Sequence, residues 1–236
     1  MEQKLSELVN RLKKAFGARL VSVVLYGSGA AGGWDQGASD LNVLCVLDKI
    51  SPHELAVAEP ILRWWREAGN PAPLLLTAEE VRTSTDCFPM EFRDMQDHRR
   101  VLEGVDVISD LVVDDKYYRA QVEHELRAKQ LRLRQRAAEV LSQPERLQRL
   151  MTDSVSTFLV LARHALVLKG DPPYWDKKKL LAALSSVTGS PLNAVDEILS
   201  LRTFPRRAAA PETVSLLGRY LAEVAALVHF VDALQQ

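Results

Sequence analysis

The sequence predicts an α/β domain over residues 1–113 followed by an all-helical bundle over residues 114–236. Three observations predict it. Short Val- and Leu-rich runs alternate with helix-period segments in the first half. Near Asp114 the texture changes, and only helix-period segments follow. At 236 residues and 47% hydrophobic content, the chain is large enough for two modest cores.

The elements read in order as follows. Leu5, Leu8, Leu12 and Phe16 recur at helical spacing in a charged segment, with Val9 beside them, and Gly17 closes that helix. Arg19 to Tyr26 is short and Val-rich, the signature of a buried strand, and Leu41 to Leu47 is a second one. Ser51-Pro52 opens a helix with apolar positions from Leu55 to Trp65, stopped by Gly69-Asn70-Pro71. Leu74 to Thr77 predicts a short third strand. Thr77 with Glu80 three residues on predicts a capped helical turn. Phe88 to Met95 is expected as a fourth strand, with Pro89 at its start or on an edge. Helical segments then cover 116–141, 147–168, 177–187, 192–201 and 214–234, punctuated by Pro144, Gly170-Asp171-Pro172-Pro173, Gly189 and Pro191.

Composition excludes several classes. Thirty basic and 31 acidic residues leave a formal charge of −1, which speaks against a dedicated nucleic-acid binder. Cys45 and Cys87 do not make a disulfide framework, and Cys45 lies in an apolar run where a small core residue belongs. Met1 to Arg19 is charged throughout and carries no leader-like apolar run. No apolar run is expected to reach membrane-spanning length. The expectation is a soluble cytoplasmic protein without a membrane or nucleic-acid partner.

Two short segments carry the chemistry. Val23-Val24-Leu25-Tyr26 runs into Gly27-Ser28, a strand ending in a turn. Glycine permits close approach, and the turn exposes N–H groups and a hydroxyl, the donors that cradle a phosphate. A simple turn accounts for the same pair. No Gly-Lys-Ser/Thr follows, so this is not a Walker A loop. Gly27, Gly29 and Gly32 meet the spacing Gly-x-Gly-x-x-Gly. However, Gly33-Trp34-Asp35-Gln36-Gly37 follows where that motif needs a long helix.

The second segment is Ser39-Asp40-Leu41-Asn42-Val43-Leu44. Strand periodicity puts Asp40 and Asn42 on one face, two oxygen-bearing side chains at a strand mouth, as a hard cation such as Mg²⁺ requires. A strand cap and a local amide hydrogen bond explain them equally simply. Asn42 ligates without contributing charge, which weakens such a site.

Taken together, Gly27-Ser28, eleven intervening residues and Asp40-Leu41-Asn42-Val43 resemble the signature of the polymerase-beta-like nucleotidyltransferase superfamily. An α/β domain followed by helices is most similar to the bacterial aminoglycoside nucleotidyltransferases, especially the streptomycin/spectinomycin adenylyltransferases. The resemblance implies a nucleotidyltransferase-type domain with a mixed sheet, then the helical bundle. It implies Gly27 and Ser28 as nucleotide-binding residues. It also implies Asp40, Asn42 and a third carboxylate as the Mg²⁺ ligands that hold a nucleoside triphosphate, with ATP expected. The third carboxylate lies in an apolar-Glu-apolar strand segment, which Met90-Glu91-Phe92 resembles; Arg99-Arg100-Val101-Leu102-Glu103-Gly104 resembles the stretch after it. Asp40 and Glu91 are then the catalytic residues. Asn42 departs from the pattern, where a second carboxylate is usual. From the residues alone, Glu91 and Asp94 compete as third ligand, because three residues apart they face opposite sides of a strand.

Other features have structural readings. Arg127, Lys129, Arg132, Arg134 and Arg136, and the run Lys177-Lys178-Lys179, read as solvated helix surface or as a triphosphate-neutralising patch. Tyr174-Trp175 packs on the bundle or stacks on a base. Trp34 stacks on a ligand or covers the sheet. One of Trp64 and Trp65 is core. The five histidines have no zinc spacing. The expected function is transfer of a nucleoside monophosphate from the triphosphate to a hydroxyl of a small-molecule acceptor. A weakly active or inactive nucleotide-binding regulator is the alternative. A toxin-type enzyme modifying protein or RNA comes third.

Overall fold

The computed structural model describes residues 1–32, 41–114, 116–204, 206–207 and 209–234. The chain divides into two compact units, Met1–Asp115 and Lys116–Gln236.

In the first unit, α1 (Glu2–Phe16) buries the predicted stripe Leu5, Leu8, Val9, Leu12 and Phe16. β1 (Leu20–Tyr26) and β2 (Asn42–Leu47) follow, then α2 (Pro52–Glu67), β3 (Leu74–Thr77), α3 (Ala78–Thr83), α4 (Pro89–Asp97) and β4 (Arg99–Gly104). The sheet order is β3-β2-β1-β4. β1 runs antiparallel to both β2 and β4, and β2 runs parallel to β3, so the sheet is mixed.

Alternation along the strands builds two cores. Val23, Leu25, Val43, Cys45 and Leu47 pack on the side of α1 and α2, around the fully buried Trp65. Val24, Leu44 and Val46 pack on the other side, against Val81 of α3, Phe92 and Met95 of α4, and Ile108. Of the two tryptophans, Trp65 is core; Trp64 is half-buried, with the Arg11 guanidinium 4.2 Å from its ring centre.

The helix ends follow the sequence signals. Ser51 caps α2, accepting from the His53 N–H, and its hydroxyl donates to Glu54, which also receives Arg19 at 2.7 Å. Thr77 and Glu80 form a reciprocal capping box on α3.

The second unit is helical: α5 (Tyr118–Val140), α6 (Pro144–Lys169), α7 (Lys177–Thr188), α8 (Asn193–Thr203) and α9 (Ala210–Ala233). α5, α6 and α9 pack on one another, and α8 packs on α6 and α9. Tyr118, Val122, Leu126, Leu133 and Ala137 give α5 its buried stripe. Contrary to the expectation from sequence, α6 and α9 are long and apolar enough to cross a membrane by length and composition. Many of their apolar residues line the bundle core, including Leu147, Met151, Val155, Leu216, Val224 and Val231. α8 has an unusual start. Its cap residue Leu192 is left-handed (φ 53°) and makes no side-chain cap hydrogen bond. Glu223 of α9 does the capping instead: its buried carboxylate accepts the N–H groups of Ala194 and Val195, both at 2.9 Å.

Candidate functional site

The site is built from the end of β1. Tyr26 is the last strand residue, and its parity places it on the α3/α4 side of the sheet, with Val24. Gly27 follows at φ +72°, a conformation glycine adopts without penalty, and it turns the chain out of the sheet. Gly27–Gly29 is a single 3-10 turn, closed by the Ala30 N–H on the Gly27 carbonyl at 3.0 Å. It is not the start of a long helix, which removes the dinucleotide reading of Gly27, Gly29 and Gly32. The Gly27 N–H is already committed, donating to the His98 carbonyl at 3.1 Å. The Ser28 and Gly29 N–H groups stand ahead of the turn's own first hydrogen bond, as the leading donors of any helical turn do.

Asn42 is the first residue of β2 and pairs directly with Tyr26. It shares parity with Leu44 and Val46, so it lies on the α4 side of the sheet as well. Asp40 and Trp34 lie outside the described residues.

The segment predicted as a fourth strand is a helix. Pro89 occupies the first turn of α4, where its missing N–H is harmless, and Pro89, Met90, Phe92 and Met95 are buried. The alternation in Met90-Glu91-Phe92 imitates a strand, but the pairs Pro89/Phe92 and Phe92/Met95 have helical spacing. The fourth strand is Arg99–Gly104, which pairs with β1. The correction changes the chemistry. Three residues apart on a helix, Glu91 and Asp94 share a face, so they are not rivals on opposite sides of a strand. α4 packs against the Gly27–Gly29 turn. Burial raises the Tyr26 hydroxyl above the ordinary phenol range, and the charges of Glu91 and Asp94 raise it further. Both carboxylates therefore act on the residue that pairs with Asn42.

Sequence reasoning missed Tyr26 and the contacts that fix α4. Arg99, opposite Tyr26 on β4, forks between two partners. Its Nε lies 3.1 and 2.9 Å from the two Asp106 carboxylate oxygens, and another guanidinium nitrogen lies 2.9 Å from one of them. The third nitrogen donates to the Gln96 carbonyl at 3.1 Å and the Met95 carbonyl at 3.4 Å, at the last turn of α4. Asp106 also accepts the N–H groups of Ile108 and Ser109. Burial pushes its carboxyl up, but Arg99 and these N–H groups outweigh burial and hold it below the usual carboxylate range. The available sequence signal was Arg99 directly after a helix end.

Among the described residues, no group of three or more His, Cys, Asp or Glu side chains stands ready to hold a metal ion.

No protein-family model matches the chain, and no curated protein matches it. A solved structure does: the spectinomycin adenyltransferase AAD(9) from Enterococcus faecialis, crystallised with ATP and spectinomycin. The match has a TM-score of 0.62 at 14% identity and covers 98% of this chain and 99% of that one. The chain shares the fold of that adenyltransferase.

Within this fold, the described predicted residues Gly27, Ser28, Asn42 and Glu91 belong to adjoining elements of the first unit: the 3-10 turn, the mouth of β2 and α4. The basic stretch of α5 reads as surface. Arg127 pairs with Glu123 at 2.8 Å and Asp232 at 3.0 Å, and Lys129 with Glu125 at 3.4 Å. Lys177, Lys178 and Lys179 are exposed on α7. Trp175 packs on the bundle, its ring centre 3.8 Å from the Arg163 guanidinium.

Proposed function

We propose that this chain is a metal-dependent nucleotidyltransferase that moves the nucleoside monophosphate of ATP to a hydroxyl of a small molecule, in the cytoplasm. The observation that carries the reading is the convergence at the mouth of β1 and β2. The Gly27–Gly29 turn, Asn42 and the helix bearing Glu91 and Asp94 all meet on one side of one sheet. The fold shared with an adenylyltransferase supports it.

The residues fit Mg²⁺. They are oxygen donors, and although burial is the main cause of the upward push on Tyr26, the charges of Glu91 and Asp94 add to it, a contribution that a cation would offset. Asp40, Asn42 and Glu91 would hold the ion. Bound there, Mg²⁺ supplies charge neutralisation to the triphosphate. Ser28 and Gly29 direct N–H donors at phosphate oxygens, while Gly27 keeps the turn fixed through His98. The acceptor hydroxyl attacks the α-phosphorus in line, its proton passes to a carboxylate such as Glu91, and pyrophosphate leaves.

Asn42 also favours a second reading, a protein that binds nucleotide but turns it over slowly, because the position that usually supplies a second carboxylate supplies a neutral amide. Calorimetry with Mg²⁺ or Mn²⁺ and each of the four triphosphates tests both. Binding of ATP with a metal requirement, and pyrophosphate release with a hydroxylated acceptor, is the expected result. Binding without release favours the second reading. No binding at millimolar nucleotide removes both.

A further inference from the structure

We infer that Arg99, held by Asp106, is a positioning residue of the nucleotide site: it fixes the helix that carries Glu91 and Asp94 at its distance from the strand mouth. The inference rests on the function proposed above and names a residue that the superfamily resemblance assigned no role.

α4 carries the candidate acidic groups on one face, so its placement decides whether those oxygens reach the cation. Its N-terminal end is held by packing of Pro89 and Met90. Its C-terminal end is held by hydrogen bonds, and Arg99 supplies two of them, to Met95 and Gln96. The same guanidinium is pinned in its plane by both oxygens of Asp106. Asp106 in turn is fixed by the backbone of Ile108 and Ser109, and Ile108 is a fully buried member of the core beneath α4. Gln96 adds a tie from α4 to the Leu111 carbonyl at 2.6 Å. On its other side, Arg99 pairs through the sheet with Tyr26, and the neighbouring His98 carbonyl receives the Gly27 N–H. Residues 98 and 99 therefore link α4 to the phosphate turn in two consecutive steps. Arg100 offers a contrast. It is exposed, and it reaches Glu2 on α1, on the opposite side of the sheet.

A planar fork is needed for this link. Lysine offers one point charge in place of two coplanar edges of N–H donors, so Arg99→Lys recovers charge but not geometry. A contact that orients ligands without touching the ion costs about 10–100-fold in metal affinity when lost.

The test compares Arg99→Gln, Arg99→Lys and Asp106→Asn with Arg19→Gln, which breaks a charged pair on the α1/α2 side of the same unit. Two readouts are taken on the full chain. Hydrogen exchange without ligand follows the amides of Phe92–Asp97 and Gly27. Titration with Mn²⁺ at saturating ATP follows metal affinity. The expected result is faster exchange at both segments and a loss of about tenfold or more in Mn²⁺ affinity for Arg99→Gln and Asp106→Asn. Arg99→Lys falls between them and wild type. Arg19→Gln, at equal or greater loss of thermal stability, leaves both readouts unchanged. Equal effects from Arg19→Gln, or no effect from Arg99→Gln, overturn the inference. If Arg99→Gln does not fold, Arg99→Lys and Asp106→Asn decide by the same criteria. If wild type binds no nucleotide, the functional reading fails, and unchanged exchange at Gly27 in the variants separately removes the link.

Discussion

Replacing Asn42 with aspartate probes the site most directly. The change is nearly isosteric and sits at the first residue of β2, half-buried and beside Tyr26, so the fold has room for it. It adds one negative charge on the side of the sheet where α4 packs. Because Asn42 is not buried, a water-like dielectric applies. Two unit charges about 4 Å apart then attract by about 1 kcal/mol, and a divalent ion doubles this to about 2 kcal/mol. That corresponds to roughly 30-fold tighter binding of Mn²⁺ or Mg²⁺. Without metal the sign reverses. The new carboxylate would neighbour Tyr26, where the charges of Glu91 and Asp94 are felt, and like charge is expected to raise its folded pKa above the unfolded value. An acid with a raised pKa loses stability as pH rises through it, so the metal-free variant is weakened relative to wild type at neutral pH and not in acid. The assay is calorimetric titration of Mn²⁺ with ATP present, paired with melting curves at pH 4 and pH 7. The variant is expected to gain more Tm from metal than wild type does. Metal affinity unchanged within twofold refutes the placement of Asn42 toward the cation.

Four further outcomes are expected. Gly104→Ala destabilises the first unit by about 2–4 kcal/mol. The residue has φ +78°, and an added Cβ falls 2.0 Å from the Val21 carbonyl oxygen at the β1–β4 bulge. Gly69→Ala, left-handed but in open space, costs about 1–2 kcal/mol in the same denaturant titration. A thiol reagent at pH 8 modifies Cys87 alone in the native protein, and Cys45 only after unfolding, because burial excludes the reagent and pushes the Cys45 thiol up to about 12. Asp106 is depressed in the folded state, so its contribution is present above its unfolded pKa and is lost as pH falls through the folded value. Asp106→Asn should therefore flatten the acid limb of the stability curve.

Local signals carried much of the fold. Leu5, Leu8, Leu12 and Phe16 predicted the face of α1, and Ser51-Pro52 and Thr77/Glu80 predicted two helix starts that the structure contains. The mixed sheet followed from a resemblance and not from periodicity. Two misreadings have separate causes. Residues 88–95 span barely more than two helical periods, so Met90-Glu91-Phe92 fits either pattern, and only burial against Ile108 and Val81 settles it. Arg99–Gly104 was passed over as a strand because an edge strand is charged and half-exposed. At the site, the Gly27-Ser28 turn was legible from glycine chemistry. Tyr26 was not, since its role depends on carboxylates 65 and 68 positions away that only the fold brings near.

The clasp between Glu223 and the start of α8 bears on how the chain matures. Leu192 offers its helix no side-chain acceptor, so the Ala194 and Val195 amides wait for an oxygen that lies 28 or 29 residues downstream. During synthesis the first unit has all its strands once Gly104 has emerged, and it can close early. The second unit cannot finish α8 until most of α9 has left the ribosome. Its last helix is thus the seal on its assembly. Chains cut before residue 223 should accumulate with a native first unit and an unfinished, protease-sensitive second one.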